Sequence, residues 1–301
     1  KQAIARIKRQ GKVAETIANS FIVDENRTLV GSIRLREILF ADEEEIIENL
    51  METDVIAVTT HDDQEAVANT FKKYDYSVLP VVNNEFKLMG IITADDIIDV
   101  MVEETTEDMQ KIAAINPMDG SYKETTTFLM AKSRITWLII LMVSATFTGF
   151  ILQGYESALA LFPALAVSLP MIMSTGGNAG SQSSVVVIRE LALDNLKLKD
   201  FWKVFFKELK VAFIIGLILF VVNMIRLLIL NPTNTLQIDF VISLTIFVTI
   251  LLAKTTGGLL PLIALALKQD PAAMASPLIT TIVDALALLV YFNLAINFIK
   301  L

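Results

Sequence analysis

No cysteine occurs among the 301 residues, and histidine occurs once, as His61. Without thiols there are no disulfides and no thiolate metal sites, which fits a reducing compartment. A zinc centre needs clustered His or Cys, so an intramembrane metalloprotease is argued against. No carboxylate pair sits in a pattern that implies a glycosidase-like pocket, and the chain is not expected to be an enzyme. No secretory leader is visible in this stretch; the chain starts on Lys1 in mid-pattern, and its natural beginning is expected to lie upstream. Positive charge is in the minority, with 25 Lys and Arg against 33 Asp and Glu. That balance speaks against nucleic acid, which rewards clustered Lys and Arg.

What is present divides into two halves. Residues 1–130 carry 13 Lys/Arg and 25 Asp/Glu, and residues 131–301 carry 12 and 8. The first half reads as an acidic soluble module and the second as a membrane domain.

The soluble half contains an imperfect repeat. Phe21–Leu39 aligns with Val81–Ile98, so that Gly31 falls on Gly90, Leu29 on Leu88 and Ile33 on Ile92. Each unit reads as strand, polar turn, strand with Gly, then a helix opened by polar or acidic residues. Amphipathic helices, Gln2–Arg9 and Gln64–Tyr74, precede the two units. The second unit has a leading strand at Val55–Thr59 before His61, where a turn is expected; the first unit lacks that strand. Thr93 suits the N-cap of a helix starting at Ala94, with Asp95 and Asp96 at its positive end.

Asp95–Ile115 is a helical stretch crowded with acid, offset only by Lys111. Asp96, Asp99, Glu103 and Glu107 recur at three- and four-residue steps, forming a carboxylate strip on one face. A divalent cation would relieve their repulsion. Asn116-Pro117 ends the helix.

Five apolar spans follow, at about 135–153, 158–175, 211–230, 240–267 and 277–299, each near the ~20 residues that cross a bilayer. The connection from Arg189 to Lys210 is rich in lysine, whereas the turns at 153–157 and 231–239 carry no Lys or Arg. The positive-inside bias therefore puts that connection and the soluble half in the cytoplasm, and the C-terminus outside. Asp284 lies within the last span, and a carboxylate there faces a partner or water. Thr280 and Ser276 precede it at one-turn steps, with Thr281 beside them, giving an oxygen-rich stripe suited to a hard cation. Lys254, in the fourth span, is a rival partner that would make Asp284 half of a structural ion pair. Arg226 is expected to reach the outer interface. The run Thr175-Gly-Gly-Asn-Ala-Gly-Ser-Gln-Ser-Ser is expected to break the second span, with Asn178, Gln182 and freed backbone carbonyls supplying oxygens; a plain small-residue packing motif is the alternative.

The soluble repeat resembles a tandem pair of CBS domains. Gly90, Thr93 and Asp96 carry that family's Gly-x-x-Thr-x-x-Asp pattern, while the first unit departs from it with Arg34 and Glu37. The resemblance implies an adenine-nucleotide site, such as one for ATP, at Thr93 and Asp96, with Arg36 a further candidate. The Gly-Gly-Asn run with Ile188-Arg-Glu-Leu-Ala, and Gln269-Asp-Pro-Ala-Ala-Met-Ala-Ser-Pro-Leu-Ile-Thr-Thr-Ile-Val-Asp, resemble the signatures of the MgtE family of magnesium channels and transporters. Ile151–Ser157 and Glu104–Met109 add further matches, and the resemblance covers the whole chain.

The fold so implied is multidomain: an α/β tandem CBS module, an acidic plug helix, and an all-α five-helix transmembrane domain. The units fall at 1–40 (a truncated first CBS unit), 41–102, 103–134 and 135–301. The family implies a homodimer in the plasma membrane, among lipid, with a central pore. Asp284 would hold hydrated Mg2+ there with help from Asn178, Gly177, Ser276 and Thr280. It also implies a Mg2+ sensor at Asp96, Asp99, Glu104, Glu107 and Asp108. Transport of another divalent cation, Co2+ or Ca2+, is the alternative.

Overall fold

The computed structural model describes residues 1–118, 120–231, 234–273 and 276–299, with the side chains of residues 158 and 276 outside that description. The chain forms two compact units, Lys1–Thr106 and Glu107–Leu301.

The first unit is α/β. Helix α1 (Gln2–Gln10) leads to strands β1 (Asn19–Val23) and β2 (Leu29–Arg34), then helices α2 (Leu35–Phe40) and α3 (Ile47–Leu50). Strand β3 (Val58–Thr59), helix α4 (Gln64–Tyr74), β4 (Val78–Val82), β5 (Leu88–Thr93) and α5 (Ala94–Ile112) follow, α5 continuing into the second unit. β1 and β2 pair antiparallel; β4 pairs parallel with β3 and antiparallel with β5.

The sequence repeat is a structural repeat. Ile22 faces Gly31 and Val81 faces Gly90, and each ladder has its irregularity one residue later. Both hairpin turns hold a residue at positive φ, Arg27 and Phe86. The two turns also meet, Leu29 N donating to Phe86 O at 3.0 Å and Leu88 N to Arg27 O at 2.9 Å. Gly31 has a further reason to be glycine, since a Cβ there would collide with Met51 Sδ at 2.5 Å; the same addition at Gly90 meets nothing within 4 Å. Val58, Val67, Ala68, Phe71, Leu79 and Ile97 fill the core of the second repeat. His61 lies in the turn after β3, where Asp62 accepts hydrogen bonds from the Thr59 amide and hydroxyl.

The second unit is helical: α6 (Thr127–Gly154), α7 (Glu156–Leu161), α8 (Pro163–Ala192), α9 (Phe201–Leu230), α10 (Leu236–Ala266) and α11 (Ser276–Ile299). Among the described residues, four segments are long and apolar enough to cross a membrane: Thr127–Gly154, Leu198–Leu230, Leu236–Ala266 and Pro277–Ile299. α8 is 30 residues long, about 45 Å at helical rise, but its Ser, Thr, Asn, Gln and Gly content dilutes its hydropathy. α10 is the central helix, packed against α8, α9 and α11, while α6 packs on α11. Ile172, Ile242, Ile250, Ile279, Val283 and Leu288 are among the side chains of this core. Tyr291 anchors α11 to α8 through a 3.1 Å hydrogen bond to the Leu165 carbonyl.

Two expectations are corrected here. The Gly-Gly-Asn run does not break a helix; α8 passes through it without interruption. Small residues let α8 approach its neighbours without freeing backbone groups that lipid could not satisfy. The third span also begins about ten residues earlier than expected, at Phe201. Hydropathy detects only its hydrocarbon stretch, whereas the helix continues through Lys203, Lys207 and Lys210.

Candidate ion path and acidic helix

The contact that organises the membrane half is backbone-close. A Cβ on Gly257 of α10 would fall on the carbonyl of Gly180 in α8, within 2.8 Å of that carbonyl's carbon. One on Gly176 would reach Thr249 Cγ2 at 2.6 Å and Val283 Cγ1 at 2.9 Å. One on Gly177 would strike the Thr280 side chain. Glycine at these positions therefore sets α8 directly against α10 and α11, and it brings Gly177 onto Thr280.

Asp284 lies one helical turn beyond Thr280 on α11, half-buried. Among the described residues it has neither a hydrogen bond nor an ion pair. Thr280 and Thr281 both donate to the Pro277 carbonyl, at 2.9 and 3.0 Å. Asn178 follows Gly177 but points the other way; it is exposed, as are Ser174 and Gln182, at four-residue steps along α8. Asn178 Nδ2 reaches Ser174 Oγ at 3.4 Å. A polar, exposed stripe on a helix embedded among apolar ones needs water or a second chain beside it. The side chain of Ser276 lies outside the described residues.

Lys254 is not the partner of Asp284. It is 4% exposed, and its Nζ donates to Ser183 Oγ at 3.3 Å, which in turn donates to Glu208 Oε2 at 2.6 Å. The network spans α8, α9 and α10, and the missing side chain of Gly258 leaves room for Glu208, whose Cγ is 2.8 Å from where a Cβ would stand. Sequence reasoning overlooked Glu208 and Ser183. The signal was available: a lysine in an apolar helix requires a carboxylate, and Glu208 stands alone among the lysines at the start of α9. Arg226 turns inward, donating to Asn223 Oδ1 at 3.0 Å and lining a cavity of about 230 Å3 with Pro163, Ser168 and Asn234.

On α5 three of the expected sensor residues, Asp96, Glu104 and Glu107, have separate partners. Asp96 accepts from the Thr93 hydroxyl at 2.7 Å and the Thr93 amide at 3.2 Å, capping the helix. Glu37 does the same for α2, accepting from the Arg34 amide at 3.0 Å. Glu104 accepts from Gln64 Nε2 at 2.7 Å. Glu107 pairs with Lys111, which also pairs with Asp270. Partial burial opposes the Lys111 charge, but hydrogen bonds to Asp270 and Glu107 outweigh it and raise the ammonium above its ordinary range. Asp99 is exposed, and Asp108 is half-buried. Among the described residues, no three acidic or histidine side chains form a group able to hold a metal.

A cavity of about 250 Å3 lies between the two repeats. Its walls include Arg34 and the acids Glu37, Glu52, Asp54 and Asp75, and neither Thr93, Asp96 nor Arg36. Arg36 is exposed on α2. Four carboxylates against one guanidinium make that cavity a poor host for a phosphate chain.

Comparison with known proteins is consistent with this layout. A family model described as MgtE, divalent cation transporter, matches residues 169–294, and a CBS domain model matches 47–103. The Magnesium transporter MgtE of Thermus thermophilus is 36% identical over 96% of this chain and 64% of its own. The Magnesium transporter MgtE of Bacillus subtilis is 36% identical over 99% of this chain and 65% of its own. This chain thus spans just under two thirds of those relatives. A solved cytosolic domain of the Mg2+ channel MgtE in complex with ATP is 39% identical, covering 33% of this chain and 40% of that one at a TM-score of 0.33.

Proposed function

This chain belongs to the MgtE family, and we propose that it forms, as a homodimer in the plasma membrane, a pore that passes magnesium beside Asp284. The observation that carries the proposal is a half-buried carboxylate within an apolar helix that lacks a partner among the described residues. Such a group is costly in lipid unless water or a cation meets it. The lysine that could have neutralised it donates instead to Ser183, which is bonded in turn to Glu208.

Magnesium gives up its hydration water reluctantly, so a site that touches it through water, with oxygens in the second layer, suits it. Two copies of Asp284 across a two-fold axis would supply the charge. Thr280 and the Gly177–Asn178 segment would supply neutral oxygens, and Ser276 is kept as a candidate with them. Asp284 is eight residues into α11, about 12 Å at helical rise. With the lysines of α9 on the cytoplasmic side, the soluble half is inside and the C-terminus outside.

The carboxylates of α5 serve as the cytosolic sensor in this proposal. Bound Mg2+ would relieve their repulsion and favour the closed state, which is what shifts a population. Asp96, Asp99, Glu104, Glu107 and Asp108 are the proposed contributors. An adenine nucleotide is the proposed ligand of the CBS pair at Thr93 and Asp96, supported by their motif and their mutual hydrogen bond.

The test is magnesium uptake by reconstituted vesicles carrying wild type or Asp284→Ala, with Co2+ and Ca2+ as competing ions. Uptake should fall at least tenfold in the variant; undiminished uptake would defeat the assignment. Stronger flux of Co2+ or Ca2+ than of Mg2+ would leave a divalent-cation pore but remove its magnesium identity.

A further inference from the structure

Lys111 is the one base within the acidic stretch, and it is already engaged. Its Nζ lies 2.5 Å from Glu107 Oε1, one turn earlier on α5, and 2.5 Å from Asp270 Oδ2, in the connection between α10 and α11. The other oxygen of Asp270 accepts from the Ala272 amide at 2.8 Å and so shapes the turn Pro271–Ala273 that precedes α11. Just past α5, the Asn116 amide donates to the Ser133 carbonyl at 2.9 Å, and the Trp137 indole donates to the Asn116 side chain at 3.1 Å, fixing this stretch on α6.

We propose that Lys111 is a resident cation: it fills the space between Glu107 and Asp270 and latches the end of α5 to the segment leading into α11 without a metal ion. Two carboxylates converging on one point repel unless a positive charge lies between them, and here the chain supplies that charge itself. A divalent ion could enter only by displacing the ammonium. Lys111 thereby competes with a metal ion for Glu107, and metal dependence rests most on the rest of the strip, where Asp99 and Glu103 have no ion pair among the described residues. Asp270 is fourteen positions before Asp284, in the connection that leads into α11, so the latch acts on the helix that carries the ion-path carboxylate. The gating consequence rests on the pore proposal; the latch itself does not.

The test exploits the absence of cysteine. Met109 and Leu267, both well exposed, are replaced by cysteine and spin-labelled in the full chain in nanodiscs, diluted with unlabelled protein. The latch predicts one narrow distance distribution in EDTA and in Mg2+ alike for the Lys111 background. Lys111→Arg should keep it, and Lys111→Gln should broaden it in EDTA. Lys111→Glu should be broad in EDTA and narrow in Mg2+, because three carboxylates then recruit the metal. In vesicles, Lys111→Gln should raise the Mg2+ concentration that half-closes the pore by roughly fivefold. A Lys111→Gln distribution in EDTA identical to that of Lys111 would overturn the latch. If Asp284→Ala leaves uptake intact while the distances behave as stated, the pore proposal fails and the latch stands.

Discussion

Gly257→Ala is the sharpest perturbation of the helix packing. The new methyl would stand 2.8 Å from the Gly180 carbonyl carbon and 2.9 Å from its Cα, and closer still to the carbonyl oxygen. Ordinary contact begins near 3.4 Å, and backbone atoms cannot rotate out of the way, so α8 and α10 must part. Overpacking of this kind costs about 1–3 kcal/mol, against which alanine returns about 1 kcal/mol of helix propensity. The separation also loosens Ile279 and Val283 of α11 against Gly180, so a net loss of about 2 kcal/mol is expected. Gly149→Ala in α6 is the matched control, since a Cβ there meets nothing within 4 Å; it should gain up to about 1 kcal/mol. Thermal unfolding in detergent at one scan rate reads both. Gly257→Ala should lower the midpoint by about 4–8 °C and Gly149→Ala should leave it equal or higher. A Gly257→Ala protein as stable as wild type would refute the close approach of α8 and α10.

Glu208→Gln should destabilise by about 2–4 kcal/mol, because it removes the negative charge linked through Ser183 to the buried Lys254 ammonium, and the double variant with Lys254→Met should recover most of that in a double-mutant cycle. Thr93→Val removes the hydroxyl bonded to Asp96 and should cost the CBS module about 1 kcal/mol in urea titration, with or without nucleotide. Neutralising Glu104, Glu107 and Asp108 together should raise flux at high cytosolic Mg2+; inhibition that persists unchanged would remove these residues from the sensor.

The tandem repeat was legible because both copies place glycine at the same point of the strand ladder and a polar residue at the start of the following helix. Gln64–Tyr74 was legible by its amphipathic period, and the last span by its length. The continuity of α8 was not. Gly176-Gly177 carries the composition of a break, and only the partners across the helix, Thr249, Val283 and Thr280, explain why glycine is needed inside a regular helix. The start of α9 was hidden for a different reason: lysines mark a loop to a hydropathy scan, yet they prolong a helix that projects beyond the hydrocarbon. Glu208 was missed because it meets the Lys254 network only through Ser183, and Lys254 is 46 residues away in sequence. Lys111 was noticed as an exception to the acidic run, but Asp270 is brought to it only by the fold.

The most direct measurement is a cryo-electron density map of the full-length protein in Mg2+. A single ion should lie on the two-fold axis of the proposed homodimer, between the two Asp284 carboxylates. Each carboxylate oxygen should be about 4 Å from it, with water between, instead of the ~2.1 Å of direct coordination. Asp284 side chains turned toward the acyl chains, or each bonded to a basic group of its own chain, would contradict it.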